Sequence, residues 1–207
     1  MAGSSIPITK HTVSDEKAEA IRQAVRAATS SPTVDAVARL ARPDDAEAFH
    51  AFLSDPSVFA PIYTLPRPLT VENVRAFIEA HMRERQEGVG LLFLNLDAGG
   101  QIVGYSDFCI WPQWAAGELG GAVHPSLQSQ GRGVKGAALS FGWMFDALGL
   151  DLICETAALD NIRTAKLLDH LGFARKGEIT STRPDGTTRA SLVWEITKDE
   201  WLKFQIG

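Results

Sequence analysis

The segment Gln128-Ser-Gln-Gly-Arg-Gly133 is the stretch of this sequence best suited to hold an anion. It follows a strand-like run and directly precedes Val134, Ala137, Ala138, Phe141, Met144, Phe145 and Leu148, which recur at helical spacing. A helix starting there offers unpaired N–H groups and the positive end of the peptide dipole, which together suit a phosphate. Gly131 and Gly133 have no side chain to hold a phosphate off the backbone, and Arg132 and Lys135 add charge. A glycine pair before a helix is equally a tight connection, so the surroundings must decide. The spacing of a P-loop is absent. A dinucleotide-binding fingerprint needs an early first strand inside repeating βαβ units, whereas four strands and two helices of the main domain precede this loop.

Other reactive side chains have plainer explanations. The histidines at 11, 50, 81, 124 and 170 show no metal-ligand spacing, so no metal site is expected. Asp15-Glu16 and Asp44-Asp45 suit helix starts. No Ser-His-Asp arrangement can be argued, and His124, before Pro125, shapes a strand exit. Cys109 and Cys154 lie in apolar runs and read as buried thiols rather than a disulfide.

The elements that must carry the loop are legible from pattern. Residues 14–29 predict a helix capped by Ser14, with Ala18, Ile21, Val25 and Ala28 as its seam. Thr29-Ser-Ser-Pro-Thr33 reads as a linker, dividing an N-terminal helical extension (1–33) from a main domain (34–207). The seam must pack on the domain or on a second subunit, so a homodimer is open. Residues 37–40 predict a strand, and Arg42-Pro-Asp-Asp starts a helix with Ala46, Phe49, Phe52 and Leu53 inward. The prolines at 56, 61, 66 and 68 predict an irregular loop, and Thr70 opens a helix carrying Val74, Phe77, Ile78 and His81. Residues 91–96 and 102–110 predict a hairpin about Asp97-Ala-Gly-Gly100, and residues 118–123 another strand. After the loop and its helix come a strand at 152–156, a helix capped by Asp160 and ending at Gly172, and strands at 173–180 and 191–196 joined by a Pro184-Asp-Gly186 turn. Thr197-Lys-Asp-Glu200 is a capping box for a last helix. The order is that of a mixed α/β (α+β) domain.

The 207 residues are 45% hydrophobic and 22% charged, as in ordinary globular chains. A net charge of −5 argues against nucleic acid as a partner. No apolar run approaches the roughly 18–20 residues that span a bilayer. The N-terminus lacks an export signal, so a cytoplasmic enzyme with a small ligand and no membrane partner is expected.

Gln128, Gly131 and Gly133 match the Gln/Arg-x-x-Gly-x-Gly/Ala loop of the GNAT N-acetyltransferases. Asn161-Ile-Arg-Thr164-Ala-Lys-Leu167, ending in Gly172-Phe173, resembles that family's second motif at the right distance. Arg42-Pro-Asp-Asp-Ala-Glu, Glu118-Leu-Gly, Thr164 and Trp194-Glu-Ile-Thr-Lys-Asp-Glu-Trp201 are similar to the RimJ/RimL-type branch. The resemblance spans residues 36–203. It implies a mostly antiparallel twisted sheet flanked by helices, and acetyl-CoA as co-substrate. Cofactor contacts would come from Val123, Gln128, Gly131, Arg132, Gly133 and Val134, then from Lys135, Gly136, Asn161 and Lys166.

The implied reaction is direct attack of an amine on the acetyl thioester. An amine of pKa about 8 to 10.4 is mostly protonated at pH 7 and needs a base. Glu118 stands where the resemblance places that carboxylate, Asn161 would serve the pantetheine arm, and backbone N–H groups around Gly121 to Val123, at a strand bulge, would face the oxyanion. The Tyr that usually protonates the thiolate is replaced by Leu168, leaving water, Ser126 or Thr164 for that step. The loop 59–69 and Trp111-Pro-Gln-Trp114 are expected around the acceptor, a small amine or a protein N-terminus. A different acyl-CoA, or a CoA-binding module without turnover, are the rival readings.

Overall fold

The computed structural model describes residues 6–127, 132–182 and 185–206, with the side chain of Arg132 outside that set. Seven strands form one sheet in the order β1-β2-β3-β4-β5-β7-β6. They are β1 (Val37–Leu40), β2 (Gly90–Leu96), β3 (Ile102–Trp111), β4 (Ala116–Val123), β5 (Leu152–Ala158), β6 (Ala174–Thr182) and β7 (Thr188–Thr197). Every pairing is antiparallel except that of β4 with β5, which is parallel and holds only at Ala116↔Leu152 and Gly117↔Ile153. Beyond those two pairs the strands part.

Alternation along the strands sorts side chains onto two faces, and each face has its own core. Leu91, Phe93, Phe108 and Ile110 join Phe141, Met144 and Phe145 of α5 (Arg132–Asp146). Trp201 of α7 (Lys198–Ile206) completes that side, started by the expected capping box: Thr197 donates its N–H to Glu200 and accepts the Glu200 N–H. On the opposite face Leu92, Leu94 and Tyr105 meet Phe49 and Leu53 of α2 (Ala46–Leu53) and Val74 and Ile78 of α4 (Val71–Glu87).

The N-terminal helix α1 (Asp15–Ala27) is capped by Ser14, and its seam packs on its own domain, with Ile21 and Val25 inside the α5-side core. The backbone ahead of it is pinned as well: Ile8 and Thr9 donate N–H groups to the Glu195 carboxylate at 2.7 and 3.0 Å.

Several local expectations need correction. The proline-rich stretch contains a short helix, α3 (Pro56–Phe59), because the Asp55 side chain caps it and Pro56 has the φ of a first helical residue. Asn161, not Asp160, caps α6 (Ile162–His170), accepting from the Thr164 N–H at 3.1 Å. Both cysteines are free and Cys154 is buried, but Cys109 is exposed, because alternation turns it off the α5-side core. The Pro184 end of the last hairpin turn lies outside the described residues.

Candidate active site

The parting of β4 from β5 makes the site. Where backbone pairing ends, side chains of β5 take over: Glu155 accepts the Leu119 N–H at 2.8 Å, and the Thr156 hydroxyl donates to Glu118 at 2.6 Å. Strand alternation aims the N–H groups of Gly121 and Val123 the same way as that of Leu119, into the gap. The expected bulge is absent: β3 and β4 stay in register from Gly104↔Val123 to Trp111↔Ala116. The sheet opens on the other side, by separation from β5. Gly121 is still required, with φ +146° and a position where a Cβ would lie 2.3 Å from the Tyr105 carbonyl oxygen.

A cavity of ≈880 Å³ runs through this opening. One end is lined by Gly133, Gly136 and Ser140 of α5 and by Asn161, Thr164 and Leu168 of α6. The other is lined by Asp107, Cys109, Glu118 and the 61–64 loop. An arch bounds that second end. The Arg189 guanidinium stacks on the Tyr63 ring at 3.9 Å, its N–H donates to the Pro61 carbonyl at 3.5 Å, and the Tyr63 hydroxyl donates to the Thr187 carbonyl at 3.2 Å. Of the expected acceptor-side residues, the 61–64 loop is in place. Trp111 and Trp114 are not among the lining residues, and Lys10 sits over the Trp114 ring at 4.7 Å.

The carboxyl groups at the opening are tuned by burial. Glu118 reaches water only through the cavity; this poor hydration pushes its pKa up to about 7, Asp107 adds to the rise, and the Thr156 hydroxyl opposes it. Glu155 is pushed well above the carboxylate range by burial and then by the charge of Glu118. Burial thus favours the neutral form of Glu155, while Glu118 exchanges a proton near neutrality. The Cys109 thiol, exposed only toward the cavity that it lines, is pushed up by poor hydration there and then by Glu118, Asp107 and Glu84, so it is no thiolate at neutral pH.

His81 of α4 reaches the same face. Burial alone would lower its pKa, but the Asp107 carboxylate, by charge and hydrogen bond, outweighs burial with help from Glu84, and the ring stands at about 9.

The acetyltransferase (GNAT) domain family model matches residues 37–174. The chain belongs to the GNAT acetyltransferase family. It is thus an acetyl-CoA-dependent N-acetyltransferase. Among solved structures it is similar to the ribosomal-protein-S5-alanine acetyltransferase of Vibrio fischeri (19% identity, TM-score 0.69, covering 84% of this chain and 99% of that one). It is also similar to Mycobacterium smegmatis RimJ in complex with a CoA disulfide (22%, 0.67, 80% and 83%). A third likeness is RimL, the ribosomal L7/L12 α-N-protein acetyltransferase, in complex with coenzyme A (16%, 0.69, 83% and 99%). At these identities the likeness is one of fold. Comparison with curated protein sequences finds no match.

The residues of this GNAT chain fit acetyl-CoA at the α5 end of the cavity. Ideal Cβ atoms at Gly133 and Gly136 would meet nothing within 4 Å, so the backbone there is open to a ligand. Gln128 and Gly131 lie outside the described residues. Val134 packs against the core and Lys135 and Lys166 are exposed, while Val123 and Asn161 line the cavity. Capping α6 engages only the Asn161 carbonyl oxygen, and its amide N–H₂ is a separate donor. Ser126 hydrogen-bonds His124 at 2.8 Å, whereas Thr164 lines the cavity.

Asp107, His81, Thr156 and Glu155 escaped sequence reasoning. His81 was legible only as an inward position of a helix, and Asp107 as a polar residue in an apolar strand. That interruption of β3 was the one available signal.

Proposed function

We propose that this enzyme acetylates a primary amine, the α-amino group of a protein N-terminus, by direct attack with Glu118 as general base. The observation that carries this is Glu118 itself: a carboxyl whose pKa stands at about 7, at the opening of the sheet and at the inner end of a cavity. A base serves best when its pKa lies near the working pH, and an α-amine of pKa about 8 is close enough for efficient transfer. Acetyl-CoA, when bound, supplies the acetyl thioester. Glu118 takes the proton of the incoming ammonium, directly or through one water, and Thr156 fixes which of its oxygens faces the amine. The N–H of Gly121 points into the gap, where it can donate to the acyl oxygen. Asn161 offers its amide N–H₂ to the pantetheine arm. Leu168 has no proton to give. A thiol of pKa about 8.5 leaves with little help, and the Thr164 hydroxyl is at hand. The arch of Tyr63 and Arg189 favours a slender, extended acceptor such as a chain end. The neighbours named as ribosomal-protein acetyltransferases support the same class.

The test is an acetylation screen with acetyl-CoA across purified ribosomal proteins, peptides of varied first residue, polyamines and aminoglycosides, read by mass spectrometry. Acetyl on an α-amino group is expected. Acetyl found only on small amines, or on none of the panel, would overturn the choice of acceptor.

A further inference from the structure

We propose that Asp107 is the subsite that receives the acceptor as an ammonium ion, that His81 positions it, and that the proton then passes to Glu118. This rests on the amine-acetylating role proposed above and adds the state in which the amine arrives and the group that greets it.

The His81 ring shows that the pair is built. Its Nδ1 lies 2.9 Å from the Phe77 carbonyl oxygen and its Nε2 lies 3.0 Å from Asp107 Oδ1. A carbonyl can only accept and a carboxylate accepts, so both ring nitrogens donate and the ring is an imidazolium. A buried cation is costly unless it is paired, and this one is spent on a single oxygen of Asp107, with Glu84 farther off at 3.7 Å.

The second oxygen has a different outlook. Asp107 stands opposite Gly120 in the β3–β4 register, and Oδ2 lies 3.8 Å from the place where a Cβ of residue 120 would be. Glycine leaves that oxygen uncovered on the side where Asp107 lines the cavity. Glu118 pairs with Cys109, which makes it the diagonal neighbour of Asp107, with Cα atoms roughly 7–8 Å apart. An ammonium nitrogen between the two carboxylates is within reach of both.

Charge favours the same occupant. Glu84, Asp107 and Glu118 gather around His81, Arg83 adds its charge beside Glu84, and the Cys109 thiol among them is neutral, so three carboxyl groups face two cations. Of the arginines that line the cavity, Arg163 stands on α6 and Arg189 in the arch over Tyr63. No group of three His, Cys, Asp or Glu side chains among the described residues converges as metal ligands do. The imbalance fits a monovalent organic cation. Bound there, the ammonium keeps Asp107 as its counter-ion while one N–H proton moves to the Glu118 carboxylate. The neutral amine and a protonated Glu118 result, with no other reactant.

The experiment uses the full chain with an alanine-initiated peptide amide as acceptor. Asp107→Asn preserves the shape and loses the charge; it should raise KM for the peptide roughly ten- to hundredfold, the size of a charge-assisted hydrogen bond, with acetyl-CoA affinity unchanged. Gly120→Val, which suits a strand and would cover Oδ2, should raise KM in the same way, whereas Asp107→Glu should recover part of the loss. A turnover-free readout is ¹³C-carboxyl NMR of the CoA complex titrated with ethylammonium chloride, in which the Asp107 resonance should move. A working enzyme whose peptide KM is indifferent to both Asp107→Asn and Gly120→Val would overturn the subsite and leave the transferase reading intact. If the wild type acetylates nothing while Asp107 still responds to ethylammonium, the acceptor reading fails and the cation site stands. An Asp107 resonance that stays still while that of Glu118 moves overturns the subsite.

Discussion

Thr156 on β5 donates its hydroxyl to Glu118 on β4 at 2.6 Å, across the gap where the two parallel strands no longer pair. One contact thereby bridges the open sheet and sets the protonation of the residue proposed as base. The hydrogen bond favours the ionised form and burial disfavours it, leaving the carboxyl at about 7.

Activity should rise with pH through about 7, because Glu118 must be ionised to accept a proton. Thr156→Val removes a donor that stabilises the carboxylate, so the rising limb should move to higher pH with little change in plateau. Glu118→Gln should lower kcat by roughly 10²–10⁴ while acetyl-CoA binding, measured by calorimetry, stays as it was. A pH profile unmoved by Thr156→Val would mean that another group titrates.

Stability should depend on pH through His81. Its pKa is raised from 6.5 to about 9 in the folded state, so the stabilisation is fully present below pH 6.5 and is lost as pH rises through 9. The shift corresponds to roughly 3 kcal/mol at most. Glu118 is also raised, from 4.5 to about 7, and a raised carboxyl makes the fold lose stability as pH climbs across that interval. Thermal melts should therefore decline from pH 5 to pH 9, and His81→Gln should flatten the upper half of the curve.

Gly121→Ala should be costly although it adds one methyl group. The new Cβ would lie 2.3 Å from the Tyr105 carbonyl oxygen, at a φ of +146° that side chains avoid. A loss of roughly 1–3 kcal/mol is expected in denaturant unfolding, together with lower turnover, because the N–H of residue 121 would be re-aimed. By contrast Gly120→Ala meets its nearest neighbour at 3.6 Å and should melt within a few degrees of the parent.

The arch should act on selectivity. Arg189→Ala removes both the stacking on Tyr63 and the hydrogen bond to Pro61, which unties the last hairpin from the 61–64 loop. Branched and bulky amines should then compete with peptide ends. The check is the ratio of kcat/KM for a peptide and for an aminoglycoside; an unchanged ratio would mean that the arch does not screen acceptors.

Much of the scaffold was legible before any coordinates. Helical spacing from Val134 to Leu148, the Ser14 cap, the Asp97 turn and the Thr197–Glu200 box depend on neighbours within a few residues, so local chemistry announces them. The short helix at Pro56–Phe59 was hidden because four prolines in thirteen residues read as a loop. Cys109 was misread as buried for a related reason: an apolar run does not reveal which face a residue takes.

The sequence by itself determined the fold class, the order of elements, the family, and Glu118 as the carboxylate to test, all through patterns repeated at short range or at the spacing of two motifs. Only the tertiary structure decided that Thr156 would tune that carboxylate, that Glu155 would take the Leu119 N–H across the gap, that His81 would hold Asp107, and that Tyr63 would meet Arg189. Those partners stand 26 to 126 residues apart along the chain. What joins them is the register of neighbouring strands and the packing of α4 on the sheet, and neither leaves a mark on local composition.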